Sequence, residues 1–404
     1  MEINLPNTNP AKLTLRDRLA FGRAFATRSC AVVALVVFVV INVVLPIYDN
    51  IEVRIKSAHA PAHELASNCL KTAVEELHKS PRTKDSTVLM GSSVLWIPVW
   101  KCDMAMAPGA PINFHRSKWL EKYLQGKTAK APDVVNLAIP GAFVSDQYLI
   151  TDKLLSGKSK PGMIIYGMVP RDFMDSNLSG PALTPTFDSL MGLNDLLRLS
   201  DLFFDSFQEK ADLALGKVVY LFGKRGLLQA RAGKTADELL RVHGDDAAEI
   251  KFDPKNPQAY FSHEALWARS VKEYRNRYKF FNVEQFEKQK KFLDALMALC
   301  RERDIELVLV NMPLTKDNIA LMPDGLYEQY LSFIEATASQ HKVPFVDLQS
   351  RGYDDNDFYD TAHLNEHGGA KVLSLAGDLI AGRLNQENRN DGHQLSSSDR
   401  AGVQ

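Results

Sequence analysis

The chain has 404 residues and four cysteines, and its 48 Lys and Arg nearly balance 49 Asp and Glu for a formal net charge of −1. That length holds one large domain or two modest ones with ample core. Balanced charge argues against a nucleic-acid partner, which needs a basic patch, and four scattered cysteines without a CxxC pair exclude a disulfide scaffold or a zinc site.

Residues 1–29 are polar and carry Lys12, Arg16, Arg18, Arg23 and Arg28 against Glu2 and Asp17. The run Cys30–Ile47 then passes without a charge, close to the length a helix needs to cross the hydrocarbon core. A single transmembrane helix over 30–47 is predicted, with the lipid bilayer as its partner. The basic flank puts the amino terminus in the cytoplasm and all that follows on the periplasmic side of the inner membrane. A cleaved signal peptide fits less well, because Ala58-His59-Ala60 lies beyond Asp49, Glu52, Arg54 and Lys56. Asn42 is one polar residue within the span.

Residues 48–85 read as a juxtamembrane connector. A helix starting near Pro61 would turn Leu65, Leu70, Val74 and Leu77 inward and break at Pro81. Cys69 and Cys102 would both face an oxidising compartment, where a bridge and two free buried thiols are equally allowed.

Short apolar runs then alternate with helical spacings. Thr87–Met90, Val134–Ile139, Met163–Tyr166, Ile305–Val310 and Val343–Leu348 are the predicted strands. Helices are expected over 144–155, from a capping-box start at Asn282 and Gln285, over 326–338 and over 366–384. Continuous apolar strands between helices indicate an α/β fold with a parallel sheet buried on both faces, over 86–384. Residues 175–280 break the rhythm and read as a mainly helical insertion. Its apolar stripes suit core packing first and a helix lying on the membrane second. The polar tail 385–404 is expected to be disordered.

Gly91-Ser92-Ser93 ends the first strand, where Gly91 is expected to let the chain turn sharply and Ser93 to emerge at the carboxyl edge, the edge at which such sheets bind and react with ligands. Asp360 and His363 stand three residues apart before the last helix. A serine hydroxyl needs a base to take its proton, and an imidazole oriented by a carboxylate serves best. The pattern therefore nominates Ser93, His363 and Asp360 as one catalytic set. The acidic run Asp354-Asp355-Asn356-Asp357 lacks the glycine and distal glutamate of a calcium loop, and His115 has no partner marking it as a ligand. No metal or cofactor is expected.

Gly91-Ser92-Ser93 near the front and Asp360-x-x-His363-Leu364-Asn365 near the end resemble the first and last signature blocks of the SGNH (GDSL-type) hydrolases. The tether resembles that superfamily's membrane-anchored branch, which includes the D-alanyl transfer protein of teichoic acid synthesis and the alginate-type O-acetylation proteins. The resemblance implies a flavodoxin-like sheet and Ser93, not Ser92, as nucleophile. It also implies a backbone N–H of Gly141, in Asn136-Leu-Ala-Ile-Pro-Gly141, as an oxyanion donor. The third block should read Gly-x-Asn-Asp, but Gly167-Met-Val-Pro-Arg171-Asp172 stands there and the asparagine donor is missing. Arg171 either substitutes as a donor, pairs with Asp172, or anchors a loop. Two functions follow from the resemblance. One is an O-acyl esterase or acyltransferase acting on a cell-envelope glycan. The other is a binding or assembly protein serving a membrane-bound acyltransferase or export complex.

Overall fold

The computed structural model describes residues 32–38, 62–79, 81–108, 115–128, 132–176, 180–218 and 262–398. Its chain divides into two compact units, Ala60–Phe203 with Asp246–Gln404, and Met1–His59 with Phe204–Asp245. In the second, residues 32–38 form a helix, α1, that exposes Val32, Val33, Leu35, Val36, Val37 and Phe38. Apart from α1, the predicted span 30–47 lies outside the described residues. Among the described residues no helix is long and apolar enough to cross a membrane.

In chain order the remaining elements are α2 (Ala62–Lys79), β1 (Thr87–Gly91), α3 (Ser93–Met106), α4 (Lys118–Leu124), β2 (Val134–Asn136), α5 (Val144–Leu154), β3 (Met163–Met168), α6 (Pro185–Leu190) and α7 (Leu196–Phe203). They continue with α8 (Phe207–Val218), α9 (His263–Arg277), α10 (Val283–Glu302), β4 (Glu306–Asn311), α11 (Lys316–Ile319), α12 (Leu326–His341), β5 (Phe345–Asp347) and α13 (Glu366–Ser398). The five strands form one sheet in the order β2-β1-β3-β4-β5, every pair parallel. This is the doubly wound, flavodoxin-like order, whose direction reverses between β1 and β3.

The strands form where the apolar runs predict them because helices cover both faces. All residues of β1, β2 and β3 are buried, and each fully buried Val, Leu or Ile contributes roughly 1.5–3 kcal/mol. On one face α10 packs against α5, with the Phe292 ring 5.8 Å from that of Tyr148. On the other, α13 packs on α3 and α4. Asn282 caps α10 by accepting from the Gln285 N–H at 3.0 Å. Arg303 closes the end of α5 by donating to the carbonyls of Thr151 and Asp152 at 2.6 and 3.1 Å.

Two details depart from the expectations. Gly91 is not a turn residue, because it ends β1 and lacks a positive φ. Glycine is needed there because a Cβ would sit 2.7 Å from the Gly167 carbonyl oxygen of β3. Within 175–280 the described elements are helical, and α6, α7 and α9 belong to the same unit as the sheet. Thr184 donates to buried Asp146 of α5, and Phe187, Phe203 and Phe292 stack in sequence at 5.1 and 4.6 Å. The described part of the tail is helical rather than disordered, with α13 running to Ser398. No proline interrupts it, and extending a helix already anchored by packing costs little.

Candidate active site

Ser93 opens α3 two residues past the carboxyl end of β1, with Ser92 at the N-cap. Ser92 is buried, whereas Ser93 is half-buried and reaches outward. The Ser92 carbonyl accepts from Leu95 and Trp96 N–H groups, both at 3.1 Å. The first-turn N–H groups of Ser93 and Val94 have no intrahelical acceptor. Negative charge forming on a group bound at Ser93 would thus lie at the positive end of the helix dipole.

The loop between β5 and α13 supplies the other two groups. Asp360 folds the loop on itself, its Oδ1 accepting from the Ala362 and His363 N–H groups at 2.9 and 3.0 Å. That turn places His363 Nδ1 2.9 and 2.8 Å from the two Asp360 oxygens. His363 Nε2 then lies 2.9 Å from Ser93 Oγ. With Nδ1 donating to Asp360, Nε2 is the acceptor that faces the serine proton. Burial works to raise the Asp360 pKa, but the His363 charge and hydrogen bond, with the two N–H groups, outweigh it and hold the carboxyl below its usual range.

Several contacts fix this geometry. Asn365 caps α13 by accepting from the His367 and Gly368 N–H groups at 2.9 and 3.2 Å. Gly368 and Gly369 let α13 approach closely: a Cβ on Gly369 would lie 2.9 Å from Cys102 Sγ and 3.0 Å from the Pro98 oxygen of α3. Lys101 of α3 sits 3.7 Å over the Tyr359 ring, next to Asp360. From α9, the Ser270 hydroxyl meets Thr361 Oγ1 at 2.5 Å, and the buried Tyr274 ring stands edge-on to His363 at 6.4 Å. Burial drives the Tyr274 phenol pKa upward, so the ring remains neutral beside the imidazole. Sequence reasoning missed Ser270 and Tyr274 because they sit in a polar helix with nothing local to link them to His363.

Gly141 adopts a left-handed φ of +79° in the loop after β2. Arg171, buried, donates to the Gly141 and Ala142 carbonyls at 3.1 and 2.9 Å and to Asp172 at 2.8 Å. Its guanidinium thus both pairs with Asp172 and anchors the Gly141 loop. His115 is a buried structural residue bonded to Thr72 Oγ1 and the Asn136 carbonyl at 2.7 and 2.9 Å. Cys69 and Cys102 are free buried thiols, pushed up to about 11 and about 12 by burial. Among the described residues no His, Cys, Asp and Glu cluster could hold a metal ion. A cavity of about 530 Å³ beside α3, lined by Cys102, Met106, Trp119, Tyr123 and Glu366, does not include Ser93 or His363.

A family profile described as "Protein of unknown function (DUF1574)" matches residues 65–367, a span that takes in Ser93, Asp360 and His363. The chain belongs to the DUF1574 family. No curated protein sequence matches it. Among solved structures, this DUF1574 member is similar to a candidate acylhydrolase from Bacteroides fragilis at 11% identity and a TM-score of 0.37, over 78% of this chain and 97% of that one. It is also similar to an alpha/beta hydrolase enzyme from the metagenome of Lake Arreo at 16% identity and a TM-score of 0.34, over 74% and 95%. Likeness this distant says nothing of what the DUF1574 chain acts on.

Proposed function

We propose that this chain is a serine-dependent O-acyl esterase or acyltransferase, held at the periplasmic side of the inner membrane by residues 30–47 and acting on a cell-envelope glycan. The observation that carries the reading is the unbroken chain from Ser93 through His363 to Asp360 at the carboxyl edge of the sheet. Ser93 Oγ attacks an ester carbonyl carbon while His363 Nε2 takes its proton, and the carbonyl π pair moves onto oxygen. Collapse breaks the ester C–O bond, and the proton returns to the leaving alkoxide. Water, or a sugar hydroxyl, then repeats the sequence in reverse to free Ser93. Asp360 holds the tautomer and steadies the imidazolium. The SGNH-type blocks support the same assignment, and the basic flank before an uncharged run supports the tether.

A second reading has one observation in its favour. Val169 stands two residues after Gly167, where the third SGNH-type block carries an asparagine, and Arg171 is engaged by the Gly141 and Ala142 carbonyls. Losing one oxyanion donor costs roughly 10²–10³ in rate, which suits an assembly protein for a membrane-bound acyltransferase. A fluorophosphonate probe decides between the two. The esterase reading expects a covalent adduct on Ser93 that is lost in Ser93→Ala. A folded wild-type chain that stays unlabelled leaves the assembly reading.

A further inference from the structure

We infer that α3 carries the acyl-chain site of the esterase proposed above: a hydrocarbon chain on the scissile carbonyl lies along Ile97, Trp100 and Met104. The inference rests on that reading of Ser93 and names its acyl group. A helix turns about 100° per residue, so Trp100 and Met104 fall about 20° either side of Ser93, Ile97 about 40° away, and Trp96 about 60° on the opposite side. Ser93 thus begins a stripe of two indoles, an isoleucine and a methionine that extends about 16 Å along the axis at 1.5 Å per residue.

The remainder of α3 is accounted for by the core, where Val94, Leu95, Pro98, Val99 and Cys102 are buried. The stripe is not. Trp96, Ile97 and Trp100 are half-buried, and Met104 is 40% exposed. A helix apolar on every side belongs inside a protein, so an apolar outer face that starts at the nucleophile calls for a ligand of the same character. Lys101 sits over the Tyr359 ring at 3.7 Å and reaches the edge of the stripe at Trp100, 5.2 Å from that ring's centre. The Trp96 and Trp100 rings lie 6.0 Å apart with 30° between their planes. Ile97 and Met104 carry no hydrogen-bonding group, and the Trp96 Nε1 is buried. A sugar laid here would lose partners for its hydroxyls, whereas an alkyl chain gains with every methylene buried. The glycan is therefore the acceptor or leaving side of the ester, and the α3 stripe takes the acyl side.

Labelling rates on Ser93 test this without a known substrate. The full chain is treated with ethyl and octyl fluorophosphonates, and the octyl-to-ethyl rate ratio is measured for wild type, Trp100→Ala, Met104→Asp and a surface variant outside α3, Phe280→Ser. We expect a wild-type ratio of at least tenfold that falls about fivefold or more in Trp100→Ala and Met104→Asp, and holds in Phe280→Ser. Equal rates for both probes overturn the acyl site and leave Ser93 as a nucleophile. A long-chain preference that neither α3 variant moves places the chain elsewhere and overturns it as well. No adduct with either probe on folded protein removes the esterase reading together with this one. Using two variants on separate turns guards against either one failing to fold.

Discussion

Asp146 sits one turn into α5 with its carboxyl fully enclosed, accepting from the Phe143 N–H at 2.8 Å and from the Thr184 hydroxyl. Burial pushes its pKa up to about 7, against the pull of Thr184, Phe143 and Arg171. The folded value lies above the roughly 3.9 of an unfolded aspartate. Its contribution to stability is therefore complete below about pH 4 and is lost as pH rises through about 7. An asparagine keeps the acceptor for Phe143 and cannot ionise. Asp146→Asn should therefore gain in thermal midpoint relative to wild type between pH 5 and pH 8, by on the order of a few degrees. A gap that stays constant or narrows over that interval would show that burial does not govern this carboxyl. Asp360 and His363 are legible because one turn joins them. Arg171 has three roles open in the sequence, since only the fold brings its guanidinium to the Gly141 and Ala142 carbonyls.

At the level of elements, the active-site position depends on how closely β1 and β3 run beside each other. Gly91 pairs with Gly167 across the two strands, and a Cβ on Gly91 would meet the Gly167 oxygen at 2.7 Å and Leu95 Cβ at 3.2 Å. The first of these is backbone and cannot swing away. Gly91→Ala should cost about 1–3 kcal/mol, read as a lower urea midpoint, and should slow labelling of Ser93 because α3 begins two residues later. A wild-type midpoint would show that the strands separate without cost. Strands buried on both faces were readable as apolar runs, and α10 as a capped helix with one apolar side. The close approach that demands glycine at 91 was not, since Gly-Ser-Ser alone reads equally well as a turn. Nor was α9, whose Ser270 and Tyr274 serve a loop ninety residues further along, through contacts that leave no trace in local periodicity.

For the whole molecule, a cell-envelope substrate requires Ser93 on the far side of the bilayer from residues 1–29. The expectation rests on an averaged property of a long window, the uncharged run 30–47 behind five basic residues. Folding brings Ser93 to a histidine 270 residues away, and that depends on strand order, which no window contains. α1 shows apolar side chains facing outward over 32–38, the surface a helix in lipid would present. Reporter fusions to the full chain decide the orientation. An alkaline phosphatase joined after Gln404 should be active and a fluorescent protein there dark if that fluorophore matures only in the cytoplasm. Replacing Val36 and Val37 with aspartates should release the chain from the membrane fraction, since a charge at mid-span costs about 2.5–3.5 kcal/mol. An inactive phosphatase with a bright fluorescent fusion would place Ser93 among cytoplasmic esters. The glycan would then have to be abandoned as substrate, while the acyl chemistry of Ser93, His363 and Asp360 would stand.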